Sequence, residues 1–346
     1  MKRFLPFGAV IAFLMFSCKH DRLDVDVSAI SVPQVKIGHY EKDFFAIDTS
    51  KIDASLARLK QKYGEFSDGF INNIIAPTAR DTYSTYFQVC SFLLDKDMRD
   101  VNEECGKIFP PEQFTKMENE ITDAYKHFKY YFPKRKLPVA INTVMSGFSN
   151  NVFNVQEKRG MSYGISLDYY LGQDNIFYDA LHDLWPAYRR RVSTKDYMTS
   201  NFVKAWMMNE FPYNPEVNNL INKMVYEGKM LYLQKALLRN TPDSIITGYP
   251  QAKLDWCEDN EAKMWATLIE QKKLYSDNEE DLNHFTEDGA YTPGFPRESP
   301  GKAGNWLGLR IVEAFMEKNP TTTIDQLMAI KDGQAILIRS KYKPKY

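Results

Sequence analysis

The run PVAINTVMSGFSNNVFNVQEKRGMSYGISLDYYL, residues 138–171, decides the class of fold. Residues 138–146, 151–155 and 163–171 are β-branched or aromatic runs, and Gly147, Asn150, Asn151 and Gly160 punctuate them. Strands joined by turns leave that pattern, so the stretch predicts a small sheet of about three strands. Outward from it the apolar spacing becomes helical. Upstream, Ile52, Leu56, Leu59 and Tyr63 mark a helix over 50–66, with Ser50 and Asp53 at capping spacing. RDTYSTYFQVCSFLLD (80–95) and PEQFTKMENEITDAYKHFKYY (111–131) follow, the latter with Pro111 in its first turn. Downstream, helices are predicted over 196–211, 215–238, 255–275 and 303–318, with a short closing helix or strand at 323–339. Segment 281–302 reads as a long polar, Gly/Pro-rich loop. With no internal repeat and no clear linker, residues 36–346 are expected to form one α+β domain, mostly helical around a small central sheet.

The N-terminus carries an address. Lys2 and Arg3 precede FLPFGAVIAFLMF (4–16), then Ser17 and Cys18. The apolar run falls short of the roughly 20 residues that a spanning helix needs and fits the core of a secretory signal. A small residue before cysteine is the pattern of a lipoprotein signal, here relaxed because Phe16 is bulkier than usual. Residues 1–17 are therefore read as a signal peptide, with Cys18 as the lipid attachment site. Two or more acyl chains would give stable anchoring. Residues 18–35, charged and without helical period, are expected to be a lipidated tether. The KHDR run after Cys18 lacks a strong acidic cluster, which favours a periplasm-facing position.

Composition narrows the rest. A formal net charge of −1 with no basic stripe argues against nucleic acid as a partner, and 44% hydrophobic residues with 14% aromatics support a substantial core. Cys90, Cys105 and Cys257 remain after lipidation. One disulfide with one free thiol, or three buried thiols, are both open readings.

The familiar catalytic spellings are missing. His20, His39, His127, His182 and His284 include no pair four apart, so no helix can present two imidazoles on one face. There is no Gly-x-Ser-x-Gly elbow, and Gly301-Lys302-Ala303 lacks the rest of a phosphate loop. No metal or cofactor is expected. Two carboxylates stand out instead. In NNLINKMVYEGKMLYL (218–233) Glu227 falls within the stripe of Leu220, Met224, Gly228 and Leu231. In WCEDNEAKMWATLI (256–269) Glu261 lies four residues after Cys257 on another apolar stripe. Burying an unpaired carboxylate is costly. Each acid therefore either faces a shared cavity as ligand or base, or is neutralised by a neighbour such as Arg310. Asp255 and Glu258 read as a structural cap. Trp256, Trp265 and Trp306 sit among apolar residues and read as core. The loop FTEDGAYTPGFPRESPGKAGNW is either a recognition surface displaying Phe285, Tyr291, Phe295 and Arg297 or a packed lid.

Together, the lipobox, MVYEGKMLYL, YPQAKLDWCEDNEAKMWATLIEQKKLYSDN (249–278) and PGFPRESPGKAGNWLGLRIVEAFM (293–316) resemble the GldB family of gliding-motility lipoproteins of Bacteroidetes. The likeness runs from about Lys36 to Ile338. It implies an envelope protein associated with gliding and, more loosely, with its secretion apparatus. The family in turn looks related to zincin-type zinc proteases, which carry a His-Glu-x-x-His helix. The corresponding helix here, NFVKAWMMNEF (201–211), has no histidine. Glu227 would then be the remnant of a third ligand, one glutamate being far short of a zinc site. The resemblance thus implies a zincin-like shell without its metal site. The leading expectation is a non-enzymatic lipoprotein, anchored to a membrane through its lipid and working through contacts with other envelope proteins. The alternatives are a divergent metallohydrolase using Glu227, Glu261 or Glu210, and a lipoprotein that binds a peptide or glycan.

Overall fold

The computed structural model describes residues 21–181 and 183–345; the signal segment 1–17 and Cys18 lie outside them. Four strands form one sheet: β1 (Ile37–His39), β2 (Ala140–Val144), β3 (Val152–Glu157) and β4 (Gly160–Ser166). Their order is β1-β2-β4-β3, with β1, β2 and β4 parallel and β3 antiparallel to β4. The fold is α+β and mostly helical, as expected, but the sheet gains β1. Three residues containing a glycine carry too little alternation to be read as a strand.

Register fixes the two faces. Ile141 lies opposite Tyr163 and Thr143 opposite Ile165. Ile141, Tyr163 and Ile165 join Phe128, Phe202 and Trp206 in the larger core. On the other face Phe153 lies beside Gly164 and stacks on Phe66 and Phe70. Val144 and Val155 pack there with Tyr40 and Phe44 in a second core. Strand β4 is therefore covered on both sides, and its last five residues are buried. It stops at Ser166, earlier than the sequence predicts. A 3-10 turn follows, and the buried Asp168 accepts backbone N–H groups from Ser146 and Phe148 at 3.1 and 2.7 Å. Burial nonetheless pushes the Asp168 carboxyl up to about 6.

Helices Pro111–Tyr131 and Ala303–Lys318 have the predicted bounds. The segment 50–66 does not form one helix. Gly64, at φ +62°, separates Ile52–Tyr63 from Glu65–Phe70, and a π turn follows. Asp48 caps the 3-10 turn Thr49–Lys51 that leads in, accepting from Ser50 N, and helix Ile52–Tyr63 itself starts without a side-chain cap rather than with Ser50 and Asp53. Lys96–Ile108 is an additional helix begun by Asp95, whose carboxylate accepts from Met98 N at 2.9 Å. It buries only Val101 and Cys105, a narrow stripe within a strongly charged segment not predicted as a helix. The closing segment is helical twice, Ile324–Ala329 and Gly333–Ser340.

The tether expectation needs correcting from Asp21 onward. Leu23, Val27 and Val35 are buried, and the Arg22 guanidinium donates to the Met316 and Thr322 carbonyls at 2.5 and 2.6 Å. Asp21 pairs with Arg239. Two C-terminal carbonyls and a buried leucine thus hold this segment against the domain. Cys90, Cys105 and Cys257 are all free thiols, the last two buried.

The C-terminal half is built around a central helix, Leu220–Leu237, in which every residue except Lys223 and Lys235 is buried. Helix Ala303–Lys318 crosses it backbone to backbone. A Cβ on Gly308 would sit 1.8 Å from the Met224 carbonyl oxygen, and one on Gly228 2.2 Å from the Gly308 carbonyl carbon. No rotamer change relieves a clash with main chain. Gly308→Ala should therefore cost at least about 3 kcal/mol, at the upper end of overpacking penalties. Gly106→Ala, in the Lys96–Ile108 helix with open space around it, should gain about 0.5–1 kcal/mol. Denaturant unfolding measures both, and equal stabilities for the two variants would refute the backbone contact.

Candidate functional site

A helix buried on all sides cannot leave its polar side chains in water, so each needs a partner. Glu227 finds Lys204, which helix Met198–Glu210 brings to it; Lys204 Nζ lies 3.1 Å from Glu227 Oε2. The negative charge of Glu227 pushes the Lys204 ammonium pKa up, against the effect of burial. This carboxylate is neutralised by a lysine, which the sequence did not single out.

Glu261 is satisfied elsewhere. Arg310 Nε donates to Glu261 Oε1 at 3.2 Å, and Tyr342 Oη donates to the same oxygen at 2.7 Å. Arg310 also bonds Glu313 at 2.6 Å. The two acids therefore do not share a cavity. Glu261 borders an open hollow with Arg310, Glu313 and the C-terminal segment, whereas Glu227 is turned into Lys204. Glu210 is likewise occupied, accepting from Arg135 at 3.1 Å.

The aromatic loop is packed rather than displayed. Phe285 belongs to helix Glu279–Thr286 and meets Phe295 edge-on at 5.4 Å; both are buried. Tyr291 and Arg297 are exposed. Thr292 holds the loop from inside. Its hydroxyl donates to the Pro300 carbonyl at 2.7 Å and accepts from Ala303 N at 2.9 Å. Trp306 is core, while Trp256 and Trp265 are half-buried against it.

That packing builds a feature the sequence did not predict. Lys204 lines a cleft of about 160 Å³ together with Arg189, Gln234, Asp288, Lys302 and Asn305. Lys302 Nζ lies 2.7 Å from Asp288 Oδ1. Burial opposes ionisation of Asp288, but Lys302, then Lys204 and Arg189, hold its carboxyl below the usual range. These residues are spread over more than a hundred positions, and none belongs to a recognisable motif. A larger hollow of about 420 Å³ lies beyond the other face of the central helix, bordered by Glu210, Arg135 and Lys229. Lys229 is buried, donates to the Ile330 carbonyl at 2.8 Å, and is pushed down to about 8 by burial. Among the described residues no group of three His, Cys, Asp or Glu side chains is placed to hold a metal ion.

Two outcomes follow from these charges. Lys204→Met should destabilise by about 2 kcal/mol, less than a fully buried pair because Lys204 is partly exposed. Adding Glu227→Leu should restore most of that, since the isolated charge is then gone; a simply additive double mutant in denaturant unfolding would refute the pairing. For Lys229, the unfolded chain keeps its proton up to the ordinary 10.5, whereas the folded chain releases it near 8. Between those values the unfolded state binds more protons, so Lys229 makes stability rise with pH across that window. Subtracting the unfolding free energy of Lys229→Met at each pH isolates this increment, and a flat difference from about pH 8 to 10 would contradict it.

Comparison with curated proteins and with solved structures finds no match. Residues 20–344 match the family model described as gliding motility protein GldB, a span that includes the central helix, the Lys204 helix and the packed loop. The match covers nearly the whole chain, and the chain accordingly belongs to the gliding motility protein GldB family.

Proposed function

We propose that the chain is a lipid-anchored, non-catalytic component of the gliding machinery or its associated secretion apparatus. It faces the periplasm and acts through protein contacts. The observation that carries this reading is an unpartnered apolar stripe on helix Thr82–Leu94. Tyr83, Phe87 and Leu94 are 80%, 65% and 59% exposed, and Cys90 lies half-buried between them. Their spacing, at i, i+4, i+7 and i+11, puts all four on one face of the helix, while Val89 and Leu93 face the core. A contiguous exposed apolar face is the ordinary mark of an interaction site. The contact surface expected in the 281–302 loop is thus moved to this helix.

The charges support the non-catalytic part. In this reading the fold keeps a zincin-like shell in which the Lys204 ammonium has replaced a metal as the partner of Glu227. With its charge already neutralised by Lys204, Glu227 does not fit a zinc site, which takes three protein ligands. No helix among the described residues is long and apolar enough to cross a membrane; in this reading the anchor is the acyl chains on Cys18.

A photo-crosslinking residue at Phe87, in membranes of the native organism, should capture an envelope protein. Tyr83→Ser with Leu94→Ser should abolish that adduct, and a probe at the exposed Lys272 should not form it. No adduct at Phe87, or the same adduct from Lys272, would refute the contact surface. In the same cells Cys18→Ala should move the chain from the membrane to the soluble fraction.

A further inference from the structure

The cleft beside Lys204 contains two polar groups that the protein leaves unsatisfied. Gln234 and Asn305 line it and are 1% and 4% exposed. Each has its amide nitrogen committed. Gln234 Nε2 donates to the carbonyl and hydroxyl oxygens of Ser200, both at 3.0 Å, and Asn305 Nδ2 donates to the Thr286 carbonyl at 3.0 Å. Those bonds fix which end of each amide is oxygen, because a flipped amide would set carbonyl against carbonyl. The two remaining oxygens, Gln234 Oε1 and Asn305 Oδ1, have no partner. A buried carbonyl without a donor costs about 1–3 kcal/mol, so the cleft is built to receive hydrogen-bond donors.

Charge selects among donors. Arg189, Lys204 and Lys302 outnumber Asp288 and the Glu227 behind Lys204. An excess of positive charge disfavours a ligand ammonium. A hydroxyl suits the site better, since it donates to an amide oxygen while accepting from an ammonium or guanidinium. Tyr169 and Tyr197 add ring surface to the wall, as a compact ring with apolar faces requires. Liquid water occupies about 30 Å³ per molecule, so 160 Å³ holds one small ring and excludes an extended chain.

We propose that this cleft binds a single acidic sugar unit, free or at the end of a glycan. Its hydroxyls donate to Gln234 Oε1 and Asn305 Oδ1, and its carboxylate is balanced by Arg189. This inference stands apart from the contact surface on helix Thr82–Leu94, and either can fail without the other.

The test is calorimetric titration of the full-length lipoprotein in detergent. The probes are D-glucuronate and D-galacturonate, with D-glucose, D-galactose, inorganic phosphate and L-alanyl-L-alanine for comparison. At least one uronate should bind, and at least fivefold more tightly than its neutral counterpart. Gln234→Leu should weaken it about tenfold, the worth of one buried hydrogen bond. Arg189→Ala, at a half-buried side chain, should erase the preference for uronate over neutral sugar. The proposal is overturned if neither uronate binds, or if phosphate or the dipeptide binds as tightly. It also fails if Arg189→Ala leaves the uronate preference unchanged.

Discussion

The backbone contact between Gly228 and Gly308 sets most of what surrounds it. Two helices that touch main chain to main chain leave no room for side chains between them at the crossing. The central helix is thereby drawn fully into the protein, and its polar residues go with it. Each then has to be met by a group from elsewhere: Glu227 by Lys204, Lys229 by the Ile330 carbonyl, Gln234 by Ser200, and Asn222 by the backbone N–H of Gly333. Those partners belong to separate segments of the chain. One close approach of two glycines therefore imposes a set of polar contacts that fix how several helices sit around the centre.

The same contact explains what could be read in the sequence and what could not. Helix Pro111–Tyr131 shows its period because one face is wet and the other is packed. The central helix has no wet face, so a stripe reading correctly marked Glu227 as buried but assigned Lys229 and Gln234 no particular role. Lysine is normally a surface residue; Lys204 becomes informative only once Glu227 is seen beside it in space. For Phe285 and Phe295 the sequence leaves a displayed surface and a packed lid both open, and they are packed. A polar, proline-rich stretch implies exposure, but Thr292 and Ser299 satisfy its backbone from within and allow it to be buried. Likewise Arg22 caps two carbonyls of the far C-terminal segment, a contact no local pattern announces.

The loop does more than cover the core. Its last residue before helix Ala303–Lys318, Lys302, has left-handed backbone geometry at φ +50°, unusual for a side chain with a Cβ. Tyr249 Oη stabilises it by hydrogen bonding to the carbonyls of Gly301 and Lys302 at 2.8 and 3.0 Å. The turn has two consequences in the cleft. It carries the Lys302 ammonium to Asp288, and it starts the following helix where Asn305 reaches the Thr286 carbonyl. Backbone strain held by a fully engaged tyrosine is thus spent at the cleft wall, where strained residues most often serve a function.

The physical difference between the Gln234 and Asn305 amides on this wall and the Lys204–Glu227 pair bears on what the cleft can do. An ion pair closed within the protein has little charge left to offer an incoming group. Unpaired amide oxygens have the opposite character: neutral, fixed by their own nitrogens, and costly until something donates to them. A site of that kind stabilises a ligand it recognises without activating a nucleophile or polarising a bond. The geometry of the cleft therefore fits the proposed non-catalytic role, in which recognition is kept and the one buried acid of the central helix is given over to holding two helices together.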